Sequence, residues 1–135
     1  PFFIDGNPAF AEGRGELLTP VKILSEEFHL VILNPGIHIN TGEAFGQCNP
    51  KLPESNLRDL YDLDISVWKN LIINDFEEFI FRKHPEIAEI KKSLYKMGAL
   101  YASMSGSGST VYGIFRSEPS IPGSLGRGMI YSGLL

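Results

Sequence analysis

Residues that form cross-links and metal sites are scarce in this chain. Its 135 residues include one cysteine, Cys48, and three histidines, His29, His38 and His84. A single cysteine excludes an intrachain disulfide and a cluster of thiolate ligands. The histidines are far apart in sequence and lack the spacing of metal ligands, so we predict surface or hydrogen-bonded histidines and no metal site.

Basic residues and long apolar runs are also few. Lys and Arg total 12 against 16 Asp and Glu, which gives a net charge of −4. Nucleic-acid binding needs a clustered basic surface, so we expect no nucleic-acid partner. No apolar run approaches the ~20 residues that cross a bilayer, and no signal peptide is visible, so we expect a cytoplasmic protein without a membrane partner. The hydrophobic fraction of 43% is enough for a folded core.

The first residues, Pro1–Ile4, are apolar and include no methionine. A strand-like segment at this position predicts a larger sheet whose other strands lie upstream. Turn signals follow at Asp5–Pro8 and at Gly13–Gly15. An unpaired apolar sheet edge tends to pair with another chain, so we expect a homo-oligomer through this exposed edge.

Three later segments have the composition of strands. Phe28–Leu33 is a near-continuous apolar run ended by Asn34–Gly36, which is typical of a central strand covered on both faces. The stretches "LYASM" and "VYGIF" are predicted to be two further strands around a glycine- and serine-rich connection. A last short apolar segment, Met129–Tyr131, follows a region rich in Ser, Pro and Gly.

Helix signals lie between these strands. Asn40 and Glu43 have the spacing of a capping box, which predicts a short helix, and about one further turn is expected near Leu57–Leu60. A long helix is predicted to begin near Pro85 and to end at Gly98. The elements together predict an α+β fold with helices on one face of the sheet. One apolar stripe with three- and four-residue steps predicts a single long helix before Pro85: Trp68, Leu71, Ile72, Phe76, Phe79 and Ile80.

The connection between the last two predicted strands alternates serine and glycine at residues 105–110, which we call the glycine-serine loop. Gly106 and Gly108 lack Cβ atoms, so the backbone can adopt positive φ and approach another group closely. Successive free amides in such a loop can form an anion-attracting hollow. The pattern is neither a Walker loop nor Gly-x-Gly-x-x-Gly, so a tight hairpin and a ligand-binding loop both remain open.

The segment "YASMSGSGSTVYGIF" resembles the third conserved motif of the GHMP kinases, a family of small-molecule phosphotransferases. "PFFIDGNPAFAEGRGELLTPV", "LVILNPGIHINTGEAF", "INDFE" and "PEIAEIKKSLYKMGAL" resemble the same family in the same order and cover most of residues 1–116. The resemblance implies a ferredoxin-like GHMP-kinase C-terminal domain over residues 25–135. Residues 1–24 would then be strands left over from an N-terminal kinase domain.

The resemblance also implies a function. It is closest to members of non-mevalonate isoprenoid biosynthesis that use ATP and Mg²⁺ to phosphorylate a cytidine diphosphate sugar-alcohol. The chain would be the substrate-side part of such an enzyme and inactive without the missing N-terminal domain. Two alternatives stay open: another GHMP kinase of the homoserine or mevalonate type, and a non-catalytic α+β ligand-binding module.

Site residues follow from the resemblance by position. Thr41 and Phe45 match substrate-pocket positions, with Phe45 near the cytosine-bearing end. The loop residues would lie near the transferred phosphoryl group: Ser105, Gly106, Ser107, Gly108 and Ser109. No catalytic residue is assigned, because the family lysine and aspartate fall upstream of Pro1, and Asp5 lies downstream of the matching point.

Two groups of polar residues are given structural interpretations. The pair Asn74–Asp75 interrupts the apolar stripe, and we expect it to face solvent or a loop backbone. The acidic pairs Glu77–Glu78 and Asp62/Asp64 are interpreted as solvated side chains rather than as acid–base carboxylates, because no pattern in the sequence buries them.

Overall fold

The computed structural model describes residues 9–21, 28–49, 56–60 and 63–135. The predicted strand at residues 1–4, the turn at 5–8 and Asp62 lie outside the described residues. The first described elements are two strands, β1 (Ala9–Glu12) and β2 (Leu17–Pro20), which pair as an antiparallel hairpin. Their connection, residues 13–16, confirms the predicted turn at Gly13–Gly15.

The main sheet has four strands: β3 (His29–Leu33), β4 (Tyr101–Met104), β5 (Val111–Phe115) and β6 (Met129–Leu134). Their order is β4-β5-β3-β6, with every neighbouring pair antiparallel. The predicted central strand is confirmed, because β3 lies between β5 and β6. The final apolar segment becomes β6, an edge strand that begins at Met129.

The helices are α1 (Thr41–Gln47), α2 (Leu57–Leu60), α3 (Trp68–Leu71), α4 (Glu77–Lys83), α5 (Pro85–Lys96) and α6 (Gly123–Gly126). Predicted boundaries are confirmed for α2 and α5. At the end of α5, the Ala99 N–H donates to the Leu94 carbonyl at 3.0 Å, and Gly98 supplies the left-handed residue that this closing turn requires.

Alternate residues of the strands build two apolar clusters. The first contains Val31, Leu33 and Met104 and packs against α4 and α5. The second contains Tyr101 and Ile114 and packs against Phe28, Ile65 and Trp68. Because side chains alternate along a strand, the two clusters lie on opposite faces of the sheet. The α+β class is confirmed, and the strand order and intervening helices are those of a ferredoxin-like βαββαβ fold.

The single long helix predicted between Trp68 and Ile80 is wrong. The helix breaks after Leu71, where Ile72 adopts an extended conformation (φ −107°, ψ 106°), and α4 starts only at Glu77. Within the break, the Asn74 Oδ1 accepts a hydrogen bond from the Phe76 N–H at 3.0 Å. The apolar stripe is divided, since Trp68 packs in the second cluster and Ile80 in the first. One straight helix could not reach both faces of the sheet.

Helix α2 connects the hairpin to the rest of the molecule. The Arg58 guanidinium donates to the Thr19 Oγ1 at 3.1 Å and lies 3.7 Å from the Glu12 carboxylate and 5.6 Å from the centre of the Phe10 ring. At the end of α2, the Leu60 carbonyl accepts a hydrogen bond from the Trp68 indole N–H at 3.0 Å. These contacts fix the hairpin through side chains rather than through strand pairing with the main sheet.

Candidate functional site

The glycine-serine loop joins β4 to β5 and is closed by two backbone hydrogen bonds. The Ser105 N–H donates to the Thr110 carbonyl at 2.8 Å, and the Gly108 N–H donates to the Ser105 carbonyl at 3.0 Å. Across the described part of the chain, the N–H groups of Gly106 and Ser107 donate to no protein acceptor. The loop is therefore a hairpin connection that also presents free backbone donors.

Both loop glycines have positive φ, +54° at Gly106 and +95° at Gly108, where an L side chain is strained. A Cβ on Gly108 would lie 2.8 Å from the Met104 Sδ and 3.5 Å from the Ile39 Cγ1. A Cβ on Gly106 would meet no heavy atom within 4 Å. Backbone conformation and close packing together therefore require glycine at 108, whereas conformation alone favours glycine at 106.

Helix α1 brings its first residue to the loop. The Thr41 Oγ1 lies 3.3 Å from the Ser107 Oγ, although the two residues are 66 positions apart. The predicted Asn40 cap is confirmed, because its Oδ1 accepts a hydrogen bond from the Glu43 N–H at 3.0 Å. The Glu43 carboxylate pairs with the Lys83 ammonium at 2.6 Å, which ties α1 to α4. The hydroxyl groups of α1 and the loop thus share one surface.

Phe45 lies one turn along α1 from Thr41 and is 64% exposed. Its ring packs edge-on against Phe76, with 4.9 Å between ring centroids and an interplanar angle of 78°. The neighbouring Ala44 is 1% exposed and anchors the helix in the core. An edge-on contact of this kind leaves a face of the Phe45 ring available to a flat partner.

Asn74 also reaches the loop, which the sequence did not reveal. Its Nδ2 donates to the Met104 carbonyl at 2.7 Å and to the Gly106 carbonyl at 2.8 Å. The expectation that the Asn74–Asp75 pair faces solvent or a loop backbone is met by Asn74 through these two carbonyls, while Asp75 is exposed. The signals in the sequence were a polar residue inside an apolar helical stripe and its place in the stretch "INDFE".

The interpretation of Glu77 as a solvated carboxylate is wrong. Glu77 is 8% exposed, and its Oε1 accepts hydrogen bonds from the Met104 N–H at 2.8 Å and the Ser103 hydroxyl at 3.2 Å. Its other oxygen pairs with the Lys91 ammonium. The break before α4 places the first residue of this helix against edge strand β4, which buries the carboxylate. Glu78 and Asp64 are exposed, as expected.

Side chains cover the outer edge of β4 next to the loop. The Tyr95 hydroxyl both donates to the Ala102 carbonyl and accepts from the Ala102 N–H, each at 3.1 Å. In the same way, the Asn74 side chain donates to the Met104 carbonyl, and the Glu77 carboxylate accepts from the Met104 N–H. An edge strand presents unpaired backbone groups, and here they are satisfied up to the point where the loop begins.

Two tyrosines of the sheet remain neutral over a wide pH range. Burial raises the pKa of Tyr112 well above its usual value, and the nearby Tyr101 adds to this effect. Burial likewise raises the pKa of Tyr101, whose hydroxyl donates to the Ile72 carbonyl at 3.2 Å. Both phenols are therefore uncharged at neutral pH.

A groove adjoins the site without containing it. It has a volume of about 750 Å³ and shares Asn74 with the contacts described above. Thr41, Phe45 and the loop residues are not among the residues that line it. Among the described residues, no three His, Cys, Asp or Glu side chains lie close enough together to hold a metal ion, and no helix is long and apolar enough to span a membrane.

A family model described as the C-terminal part of GHMP kinases matches residues 49–122 of this chain. The chain belongs to the GHMP kinases. A solved structure of 4-(cytidine 5'-diphospho)-2C-methyl-D-erythritol kinase is similar over 84% of this chain, with a TM-score of 0.66 and 27% identity. Homoserine kinase from Cytophaga hutchinsonii is similar over 74% of the chain, with a TM-score of 0.51, and at 21% identity it shows the fold alone.

Two curated relatives of this GHMP kinase chain have the same name. The 4-diphosphocytidyl-2-C-methyl-D-erythritol kinase of Bacteroides thetaiotaomicron is 43% identical over 121 residues, which cover 90% of this chain and 44% of the relative. The protein of the same name from Azobacteroides pseudotrichonymphae is 46% identical over 117 residues, covering 86% of the chain and 44% of the relative. The chain thus spans a little under half the length of these relatives.

Proposed function

We propose that this chain is the C-terminal, substrate-side part of an ATP-dependent kinase that phosphorylates a hydroxyl of 4-diphosphocytidyl-2-C-methyl-D-erythritol in non-mevalonate isoprenoid biosynthesis. Support comes from the relatives of that name, which are 43% and 46% identical over most of the chain. Use of ATP is what membership of a kinase family implies. The enzyme would work in the cytoplasm on a soluble substrate.

The main observation in support of the proposal is that the loop, Thr41 and Phe45 lie on one surface. The Thr41 and Ser107 hydroxyls are 3.3 Å apart, and Phe45 is exposed one turn further along α1. Phosphoryl transfer depends on positioning and charge stabilisation more than on covalent chemistry. Free amides of Gly106 and Ser107 suit the oxygens of a phosphoryl group, and the exposed ring of Phe45 suits a nucleobase.

In this proposal the described residues have a binding role only. They bind and orient the substrate, and we assign neither a general base nor a nucleotide cradle to them. The kinase reaction also uses Mg²⁺, but the described residues bring no three potential ligands together. None of the described residues is therefore assigned to the metal. In the same proposal, residues 1–24 belong to the N-terminal kinase domain, residues 25–135 belong to the C-terminal domain, and the 135-residue chain alone turns over no ATP.

Acceptor specificity of the full-length enzyme tests this proposal. We expect ATP-dependent phosphorylation of 4-diphosphocytidyl-2-C-methyl-D-erythritol, with kcat/KM at least about a hundredfold above the values for homoserine and mevalonate, since a polar site strongly rejects acceptors that leave its groups unpaired. Preference for homoserine or mevalonate would reassign the enzyme within the GHMP kinases. Phosphorylation of none of the three would favour a non-catalytic ligand-binding module.

Phe45→Ala in the full-length enzyme tests the part assigned to the ring. Base stacking on an aromatic side chain contributes about 1–3 kcal/mol, which corresponds to roughly a 5- to 150-fold rise in KM for the cytidine substrate. We expect kcat to change little, because the base is bound in both ground and transition states. Leu134→Ala is the matched control: Leu134 is 61% exposed and lies at the far end of β6, paired with His29. Equal KM values in the two variants would remove Phe45 from the substrate site.

Self-association through an exposed sheet edge remains part of the proposal. The hairpin β1–β2 pairs with no strand of the main sheet in the described residues. We expect sedimentation of the 135-residue chain to show concentration-dependent association. A monomer at high concentration would contradict this expectation.

A further inference from the structure

The Asn74 carboxamide connects the start of α4 to the glycine-serine loop. Its Nδ2 donates to the carbonyls of Met104 and Gly106, and its Oδ1 accepts from the Phe76 N–H. A backbone N–H can only donate, so the bond to Phe76 fixes which end of the carboxamide carries oxygen. The NH₂ group then has two hydrogens, one for each carbonyl. Only an amide side chain can make all three bonds together.

The bond to Gly106 sets the direction of the next backbone donor. In a planar trans peptide, the carbonyl oxygen of one residue and the N–H of the following residue point to opposite sides. Holding the Gly106 carbonyl towards Asn74 therefore turns the Ser107 N–H away from Asn74. That N–H has no acceptor among the described residues. Gly106 could otherwise adopt many backbone conformations, because glycine restricts φ and ψ so little.

We propose that Asn74 is a positioning residue that holds the Gly106–Ser107 peptide plane so that the Ser107 N–H faces the phosphoryl-bearing ligand. The inference rests on the proposed function, which places that ligand beside the loop. Asn74 acts through the backbone and has no assigned contact with the substrate. The nearby Glu77 carboxylate accepts a hydrogen bond from the Met104 N–H. Two side chains from one turn therefore fix Met104, the residue that precedes the loop.

Asn74→Asp separates the two anchoring bonds from the bond to the Phe76 N–H. Aspartate keeps an oxygen that can accept from the Phe76 N–H, since Asp and Asn both make such turns with the backbone two residues on. It provides no donor for the two carbonyls and places negative charge beside them. Asn74→Ser replaces the two amide donors with one O–H on a shorter side chain and adds no charge, so it cannot hold both carbonyls. A shared effect of both variants therefore reports the lost anchoring.

Asn56→Asp provides a matched control. The Asn56 Oδ1 accepts from the Arg58 N–H at 3.0 Å at the start of α2, and Asn56 donates to no other described residue. The chemical change and the bond to the N–H two residues on are the same as at Asn74, but no loop is anchored. Each variant is made in the full-length enzyme and compared with wild type.

Two measurements test the inference. Hydrogen exchange of the peptide covering residues 104–110 reports whether the loop is held, and steady-state kinetics report whether that matters. We expect faster loop exchange and a roughly ten- to hundredfold lower kcat in both Asn74 variants, the range seen when a positioned donor is lost or displaced. The KM for the acceptor should stay within about threefold, because Phe45 is untouched. Asn56→Asp should match wild type in both measurements.

The outcomes separate this inference from the proposed function. Unchanged loop exchange in the Asn74 variants overturns the inference, whatever substrate the enzyme uses. Faster exchange with unchanged kcat, or a lower melting temperature as the only effect, also overturns it. If wild type prefers a different acceptor, the kinetics are repeated with that acceptor, so that the proposed substrate fails while the role of Asn74 is still decided. If wild type phosphorylates no acceptor, the assignment of a phosphoryl-positioning role fails with it.

Discussion

Replacing Gly108 with alanine tests whether close packing under the glycine-serine loop determines the loop's shape. The residue has φ +95°, and its added Cβ would lie 2.8 Å from the Met104 Sδ. Met104 is only 2% exposed, so its side chain has little room to move away. The substitution therefore introduces two separate costs, a strained backbone and an overlap in the core.

The expected magnitude follows from these two costs. A left-handed conformation costs an L residue about 1–2 kcal/mol, and overpacking a core costs about 1–3 kcal/mol. Restricting the unfolded chain offsets about 0.4–1 kcal/mol of this. We expect Gly108→Ala to lower the free energy of unfolding by about 2–4 kcal/mol.

Gly106→Ala is the comparison that isolates the overlap. Gly106 also has positive φ, +54°, but a Cβ there meets nothing within 4 Å. Its cost should be about 1 kcal/mol or less, that of conformation alone. Urea unfolding of the wild type and both variants gives the two values. A second check is Gly108→Ala in a Met104→Ala background, where the added methyl group should cost less, because the overlapping sulfur is gone. Equal costs at 106 and 108 would refute the packing argument.

Two further predictions concern the sheet that carries the loop. Glu77→Ala should lower the free energy of unfolding by about 3–5 kcal/mol, because it leaves the buried Met104 N–H without an acceptor and Lys91 without a partner. Glu77→Gln keeps an amide oxygen and should lower it by about half as much. Equal losses for the two variants in chemical denaturation would contradict the burial of this carboxylate. Burial raises the pKa of Tyr112, so its stabilising contribution is complete below the unfolded value of about 10 and is lost as pH rises towards the folded value. The free energy of unfolding of Tyr112→Phe should therefore fall less than that of wild type between about pH 9 and 11. Tyr131→Phe, at an exposed tyrosine, is the control. An identical pH dependence in wild type and Tyr112→Phe would show that folding does not raise the pKa of this phenol.

Local signals in the sequence determined most element boundaries. The Asn40 cap, the single turn at Leu57–Leu60, and the Pro85 start of α5 were all predicted, and the structure confirms them. Each depends on hydrogen bonds or backbone preferences within a few residues, so neighbouring residues contain the necessary information. The central strand was predicted for a related reason, because a continuous apolar run requires cover on both faces.

The break in the apolar stripe was beyond such signals. Six apolar residues at helical spacing fit one helix as well as two, and only the sheet decides between them. Trp68 packs on one face and Ile80 on the other, so the chain must turn between them. That turn also buries Glu77, whose partners Met104 and Ser103 are more than 25 residues away.

The sequence by itself therefore determined the strands, the caps and the glycine positions of the loop, because those depend on local conformational energies. The tertiary structure alone decided what surrounds the loop. Thr41 reaches Ser107 across 66 residues, and Asn74 reaches Gly106 across 32. Contacts of this range exist only after the sheet has assembled, since it is the antiparallel pairing of β3, β4 and β5 that brings these distant segments to one end of the sheet.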